Sequence, residues 1–248
     1  MSTKYPGGVV TAVNPVIPSG PYQTSTASGI WTLEQAGYWI KQGQWPTAGN
    51  VKPFGGLYSW GRNANGQLGL NNTTYYSSPK QVGSLTTWLN ITAGWYHTVA
   101  TKTDGTLWSW GYNRFGGLGL NNTTNYSSPK QVGSLTTWLN ITAGAYHTIA
   151  TKTDGTLWSW GYNVYGQLGL RNITNYSSPK QVGSLTTWLN ITAGFYHTIA
   201  TKTDGTLWSW GQNAYGQLGL GNTTFYSSPK QVGSLTTGLT SLQGISKP

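Results

Sequence analysis

The chain has 248 residues, of which 7% are charged, and its 14 Lys and Arg against 4 Asp and Glu leave a net charge of +10. It has no cysteine, which excludes disulfides and thiolate metal sites. No apolar run approaches the length of a bilayer span. Met1–Gly8 lacks the charged and apolar regions of a secretory signal, so a soluble chain made in the cytosol is expected.

Residues 1–28 carry Pro6, Pro15, Pro18 and Pro21 among Gly, Ser and Thr. Proline fixes φ and removes donors, so this stretch reads as an extended arm without packing of its own. Residues 29–50 carry one helical signal. Thr32 stands three residues before Gln35, as in a capping box, Leu33, Ala36, Gly37 and Ile40 follow at helical spacing, and Gly43 and Pro46 stop the pattern. Trp31, Trp39 and Trp45 give this short helix more apolar surface than it can hide, so they are expected to anchor it on the repeats or on a partner chain.

From Val51 onward a period of 50 residues governs the chain, and 51–248 reads as tandem repeats. Complete units span 85–134, 135–184 and 185–234; 51–84 is a partial unit, and Leu239–Gly244 in the tail matches a first strand. In the unit 85–134, Leu89–Ala93 is a short strand candidate, and Tyr96–Thr103 is rich in the β-branched and aromatic residues that strands favour. Asp104-Gly105 is a two-residue hairpin signal, and Thr106–Trp110 returns with Trp108 and Trp110 on one face and Leu107 and Ser109 on the other. A Gly-rich loop over Gly111–Leu120 and a polar one over Asn121–Ser128 lead to a short outer strand, Pro129–Val132, with Pro at its start. Four short strands per unit is the content of a propeller blade. The fold class expected is all-β, with propeller-type blades preceded by the arm and the short helix.

Two resemblances follow. The string Gly94-x-Tyr96-His97-Thr98, Asp104-Gly105-x-Leu107-x-x-Trp110-Gly111-x-Asn113-x-x-Gly116-x-Leu118-Gly119, Pro129-x-x-Val132 resembles the regulator of chromosome condensation repeat over about 51–234. That resemblance implies a β-propeller, usually of seven blades, and its best-known members are GTPase exchange factors and chromatin binders. This chain offers fewer units, so an open array or blades completed across an oligomer are expected. Gly29–Ala36 with Trp39–Gly43 and Trp45-Pro46 resembles a segment of virion and tail-fibre proteins of tailed phages.

Candidate chemistry is sparse. His97, His147 and His197 recur at one site per unit, where a metal ligand and a structural hydrogen bond compete; with no nearby carboxylate or Cys, the hydrogen bond is the expectation. Asp104, Asp154 and Asp204 are explained by their turns. No nucleophile, phosphate-loop or metalloprotease motif is present, so no enzyme activity, cofactor or metal is expected. The paired tryptophans can stack on sugars or bases, but a core role is expected. Scattered lysines such as Lys102 and Lys130 read as charges guarding sheet edges, and a nucleic-acid partner is not expected.

The copies differ mainly in loops. Arg114-Phe115 becomes Val164-Tyr165 and Ala214-Tyr215, and Asn121 becomes Arg171. Trp95, Ala145 and Phe195 vary at one site, and Tyr75, Asn125, Asn175 and Phe225 at another. Aromatic and basic residues on loops of a rigid scaffold mark a binding surface. The candidates are Tyr75, Trp95, Arg114, Phe115, Val164, Tyr165, Arg171, Phe195, Tyr215 and Phe225. The function expected is a non-enzymatic virion protein, of tail-fibre or decoration type, that attaches to host-surface polysaccharide. It is expected in the virion, as a homo-oligomer or joined to other virion proteins. The alternatives are a regulatory protein-interaction propeller and a purely architectural subunit.

Overall fold

The computed structural model describes Lys4–Tyr5, Gly8–Val9, residues 56–85 and residues 87–233. The chain divides into two units, Met1–Gly55 and Gly56–Pro248. In the first, β1 (Lys4–Tyr5) pairs antiparallel with β2 (Gly8–Val9), a short ladder in the segment expected to be an extended arm. The helix expected over 29–50, with Trp31, Trp39 and Trp45, and the tail strand Leu239–Gly244 lie outside the described residues.

The second unit is all-β in its described part. A two-stranded sheet of β3 (Tyr58–Gly61) and β4 (Tyr76–Gln81) comes first. Three four-stranded antiparallel sheets follow, each in chain order. They are β5 (Trp88–Ala93), β6 (His97–Lys102), β7 (Leu107–Gly111) and β8 (Tyr126–Gln131); β9 (Trp138–Ala143), β10 (His147–Lys152), β11 (Leu157–Gly161) and β12 (Tyr176–Gln181); and β13 (Trp188–Ala193), β14 (His197–Lys202), β15 (Leu207–Gly211) and β16 (Tyr226–Gln231). These are the three complete blades and the partial one that the period predicts.

Within a blade the second strand is buried along its whole length, so both of its faces carry core residues: Ile149 and Ala150 are as sealed as Thr148 and Thr151. Trp108 and Trp110 share a face, as alternation requires. Both meet Trp88, at ring-centroid distances of 6.2 and 5.8 Å in edge-on geometry. Trp110, Trp160 and Trp210 are fully buried, so the core role expected of them holds. The lysines split into two sets. Lys130, Lys180 and Lys230 are exposed on outer strands, where edge charges belong. Lys102, Lys152 and Lys202 bury their stems and place the ammonium 3.6, 3.7 and 3.6 Å from the ring centres of Trp108, Trp158 and Trp208. A cation over an indole face is stabilised by the ring quadrupole.

Two local expectations are corrected. The Asp104-Gly105 hairpin has a three-residue loop: Lys102 N–H donates to the Thr106 carbonyl, Gly105 N–H donates to the Lys102 carbonyl, and only Gly105 takes a positive φ, +76°. Asp104 folds back to accept from the Thr106 amide and hydroxyl at 2.9 and 2.6 Å, which fixes a turn followed by a left-handed residue. The outer strand starts at Tyr126, three residues before Pro129. Proline is tolerated there because the β7–β8 register slips between Ser109 and Gly111, and the strand is an edge.

The blades are joined by a recurring set of contacts. The carbonyl of Gln67 accepts from Thr98 Oγ1 at 2.8 Å and Trp110 Nε1 at 2.9 Å. Gly117 plays that part for Thr148 and Trp160, and Gln167 for Thr198 and Trp210. Gly69, Gly119 and Gly169 lie under those indoles, where a Cβ would come within 2.7, 2.7 and 2.8 Å of Nε1. The structural hydrogen bond expected of the histidines is made by His97 and, at 3.5 Å, by His147. His97 Nε2 is 2.9 Å from Thr148 Oγ1; that hydroxyl gives its proton to the Gly117 carbonyl, so its oxygen accepts from the ring. Burial pushes His97 down to about 4 and His147 to about 3, which keeps both imidazoles neutral. The first strands β5, β9 and β13 are the innermost, and Asn140 Nδ2 reaches the Leu189 carbonyl at 3.0 Å.

A candidate interaction surface

Each blade carries an Asn-centred loop that presents its variable residues. Asn163 is fully buried: its Oδ1 accepts from Leu168 N–H at 2.9 Å, and its Nδ2 donates to the carbonyls of Asn172 and Thr174, both at 3.0 Å. Asn213 repeats the arrangement, and Asn113 repeats its bonds to Leu118 N–H and the Asn122 carbonyl. These bonds hold the loop backbone rigid while residues 114–115, 164–165 and 214–215 point outward.

Rigid loops from successive blades bring aromatic rings into one continuous cluster. Trp95 stacks on Tyr96 at 6.2 Å and meets Phe195 edge-on at 4.4 Å. Tyr96 stacks on Tyr146 at 4.9 Å. Phe115 packs on Tyr146 and Tyr162 at 5.3 and 4.8 Å, and Tyr165 packs on Tyr196 and Phe225 at 4.9 and 5.7 Å. The small, fully buried Ala145 donates its N–H to the Phe195 carbonyl at 3.2 Å. The Arg62 guanidinium lies 6.0 Å over the Tyr96 ring at one border. Burial and a hydrogen bond with Tyr96 raise the Tyr146 phenol, and burial raises Tyr162 and Tyr196, so these three hydroxyls are held in the neutral form.

The expected residues divide accordingly. Trp95, Phe115, Tyr165, Phe195 and Phe225 fall in the cluster. Arg114 and Val164 are exposed beside it, each one residue from a cluster ring. Arg171 is elsewhere: its φ of +62° and its N–H bond to the Ser227 carbonyl give it a backbone role between blades. Tyr75 and Tyr215, beside the first and last sheets, are 60% and 91% accessible and make no ring contact with the cluster among the described residues. Tyr96, Tyr112, Tyr146, Tyr162 and Tyr196 were missed. They recur nearly unchanged, so a search for differences between copies passes over them.

Other concavities are a groove of about 440 Å³ where Lys152 lies over Trp158, and a channel of about 270 Å³ lined by Asn90, Asn140, Asn190 and the isoleucines beside them. Among the described residues no three His, Asp or Glu gather as metal ligands, and no helix is long and apolar enough to cross a membrane.

With strands, blades and surface in place, the comparisons agree on the fold. A family model described as the RCC1-like domain matches residues 45–245, and the chain belongs to that family. Curated proteins yield no match. Among solved structures, Prp20p from Saccharomyces cerevisiae, described with its binding properties to Gsp1p and histones, is 23% identical with a TM-score of 0.64, over 74% of this chain and 47% of that one. Yeast RCC1 (Prp20) bound to Kap60 gives 23% and 0.65, over 74% and 46%. Human WBSCR16 gives 22% and 0.63, over 71% and 47%. The chain thus spans about half the length of these structures.

Proposed function

We propose that this chain is a non-enzymatic protein-interaction module that docks a partner on the aromatic cluster. The observation carrying this reading is the continuity of rings across three blades, from Trp95 through Phe115 and Tyr165 to Phe225. Tyr, Trp and Arg contribute most at protein interfaces, and rigid rings are ordered at little entropic cost. The three acids of the described residues are hairpin aspartates, and each is held by its own threonine. The fit is therefore to a partner with apolar side chains and a negative rim. The reading is supported by Prp20p, whose structures are described with its binding to Gsp1p and histones and in complex with Kap60.

Sugar attachment, the sequence-based expectation, fits the geometry less well. Sugar stacking needs open ring faces, and here most rings pack edge to face against one another. The virion setting rests on residues 29–50 and draws no support from the comparisons. The test is to probe the chain and a Trp95→Ala/Phe115→Ala/Tyr165→Ala variant against a displayed peptide library and a glycan array, with thermal melting as the folding control. Peptide enrichment that falls at least ~30-fold in the variant is expected, the scale of a lost hot spot. Glycan retention without peptide enrichment, or enrichment unchanged in the variant, overturns the reading.

A further inference from the structure

The blade junctions repeat one set of contacts, and that set is left half-made at each end of the described array. At the junctions the N–H groups of Asn71, Asn121 and Arg171 donate to the carbonyls of Ser127, Ser177 and Ser227, each at 2.7 Å. Gly66, Gly116 and Gly166 lie flat on the same serines, where a Cβ would come within 2.5, 2.4 and 2.5 Å of their Cα. Above these sit the indole and threonine bonds to the Gln67, Gly117 and Gln167 carbonyls.

Among the described residues, nothing lies on the acceptor face that the last blade presents again. A Cβ on Gly216 would, among the described residues, meet no atom within 4 Å, and one on Gly219 only Val232 at 3.4 Å. Gly221, at φ +70°, keeps the left-handed backbone of Asn121 and Arg171, at +59° and +62°. Among the described residues, neither its N–H nor the Gln217 carbonyl has a hydrogen-bond partner. The first sheet presents the opposite half. Trp60 is 58% exposed, where Trp110, Trp160 and Trp210 are at most 1% exposed. Ser77, in the place of Ser127, is exposed. Tyr75 and Tyr215 complete the match: within the chain their counterparts are Phe225 and Tyr165, whose rings meet at 5.7 Å.

We infer that the last blade docks the first sheet of a second copy of this chain, head to tail, by the contacts already made three times inside it. The Trp60 indole of the second copy lies over Gly219 and donates to the Gln217 carbonyl. Gly221 N–H donates to the Ser77 carbonyl, and Tyr215 packs on Tyr75. A second copy is the occupant because the free face is built to receive this repeat: flat glycines where its serine backbone lies, and an acceptor where its indole donates. The contact is heterologous, so it propagates in one direction and closes into a ring when the rotation allows. It gives Tyr75 and Tyr215 a use that the aromatic cluster does not.

The chain has no cysteine, so single cysteines report this contact cleanly. Backbone-bonded residues lie within disulfide reach. Purified full-length Ser77→Cys and Gly221→Cys, mixed under oxidising conditions, are expected to give a disulfide-linked dimer well above either variant alone. By sedimentation the unaltered chain is expected at twice its 26.8 kDa mass or more. Trp60→Glu and Tyr215→Glu are each expected to shift to the monomer mass, and a mixture of the two to recover a dimer, since each keeps one good end. Both sites are exposed, so melting should change little. A monomer at all concentrations overturns the inference. So does a mixture that stays monomeric, or a Ser77→Cys/Gly221→Cys double variant that cross-links within one chain.

Discussion

His97 and His147 show how a residue chosen for packing acquires a pH signature. Each ring lies between blades, and the preceding glycine makes room for it: a Cβ on Gly144 would fall 2.2 Å from His147 Cε1. Being sealed, these imidazoles stay neutral in the folded chain down to about 4 for His97 and about 3 for His147. In the unfolded chain they protonate near pH 6.5. The folded pKa values are depressed, so the stabilisation is complete above about pH 6.5 and is lost as pH falls from there towards 4. The hairpin aspartates, whose folded pKa values are lowered by hydrogen bonds with Thr106, Thr156 and Thr206, add a loss of their own only as pH falls through the unfolded carboxylate value of about 3.9, so the upper part of this window reports the imidazoles. Urea unfolding across this range should show stability falling by roughly 3 kcal/mol per buried imidazole by about pH 4. His147→Gln should flatten the slope. A pH-independent stability would mean that the rings protonate without leaving their sites.

The blade junction turns on a glycine and an indole, and the repeats supply their own control. Gly119 and Gly219 occupy equivalent places at φ of +73° and +66°, so alanine at either carries the same left-handed strain, about 1–2 kcal/mol. Among the described residues, only Gly119 has a next blade on top of it, with Trp160 Nε1 2.7 Å from where the Cβ would go. Overpacking a sealed contact costs about 1–3 kcal/mol more. In dilute protein, Gly119→Ala is therefore expected to lower the denaturation midpoint clearly further than Gly219→Ala, and equal losses would show that the junction yields freely. Elements of this kind were legible in the sequence only in part. Strand identity came from β-branched and aromatic runs, and Trp108 with Trp110 fell on one face as alternation required. The three-residue loop at Asp104 escaped, because the bond from Lys102 N–H to Thr106 is set by where the strands rejoin. The displaced Pro129 escaped because the slip beside Gly111 leaves no sequence mark. The partner of His97 lies 51 residues away on another sheet, beyond the reach of any local pattern. The surface was half legible: variable loops pointed to Trp95, Phe115 and Tyr165, while the constant tyrosines between them gave no contrast.

At the scale of the whole array, stability is the sum of each blade and its junctions, so position along the chain decides which part opens first. The outer strands test this directly, because β4 and β12 have the identical sequence Tyr-Ser-Ser-Pro-Lys-Gln. Their amides share the same intrinsic exchange chemistry, and any difference reports the surroundings. β12 lies on β11, which is itself bonded to the buried β10. β4 lies on β3, which has no further strand beside it among the described residues, and Tyr58 and Trp60 on β3 are more than half exposed. Opening of β3–β4 therefore uncovers little that was buried, and its free energy should sit near the low end of the range for local unfolding. Hydrogen exchange followed on peptides extended back to Asn71 or Arg171 should find β4 faster than β12 by at least ~100-fold, a difference of about 2.7 kcal/mol in opening free energy. The same measurement at rising protein concentration separates two causes. If β3–β4 is loose only because its junction is empty, docking of a second chain slows its exchange and leaves β12 unchanged. If the sheet is weak in itself, concentration has no effect on β4, and the head-to-tail contact would have to form on a surface that is already unfolding.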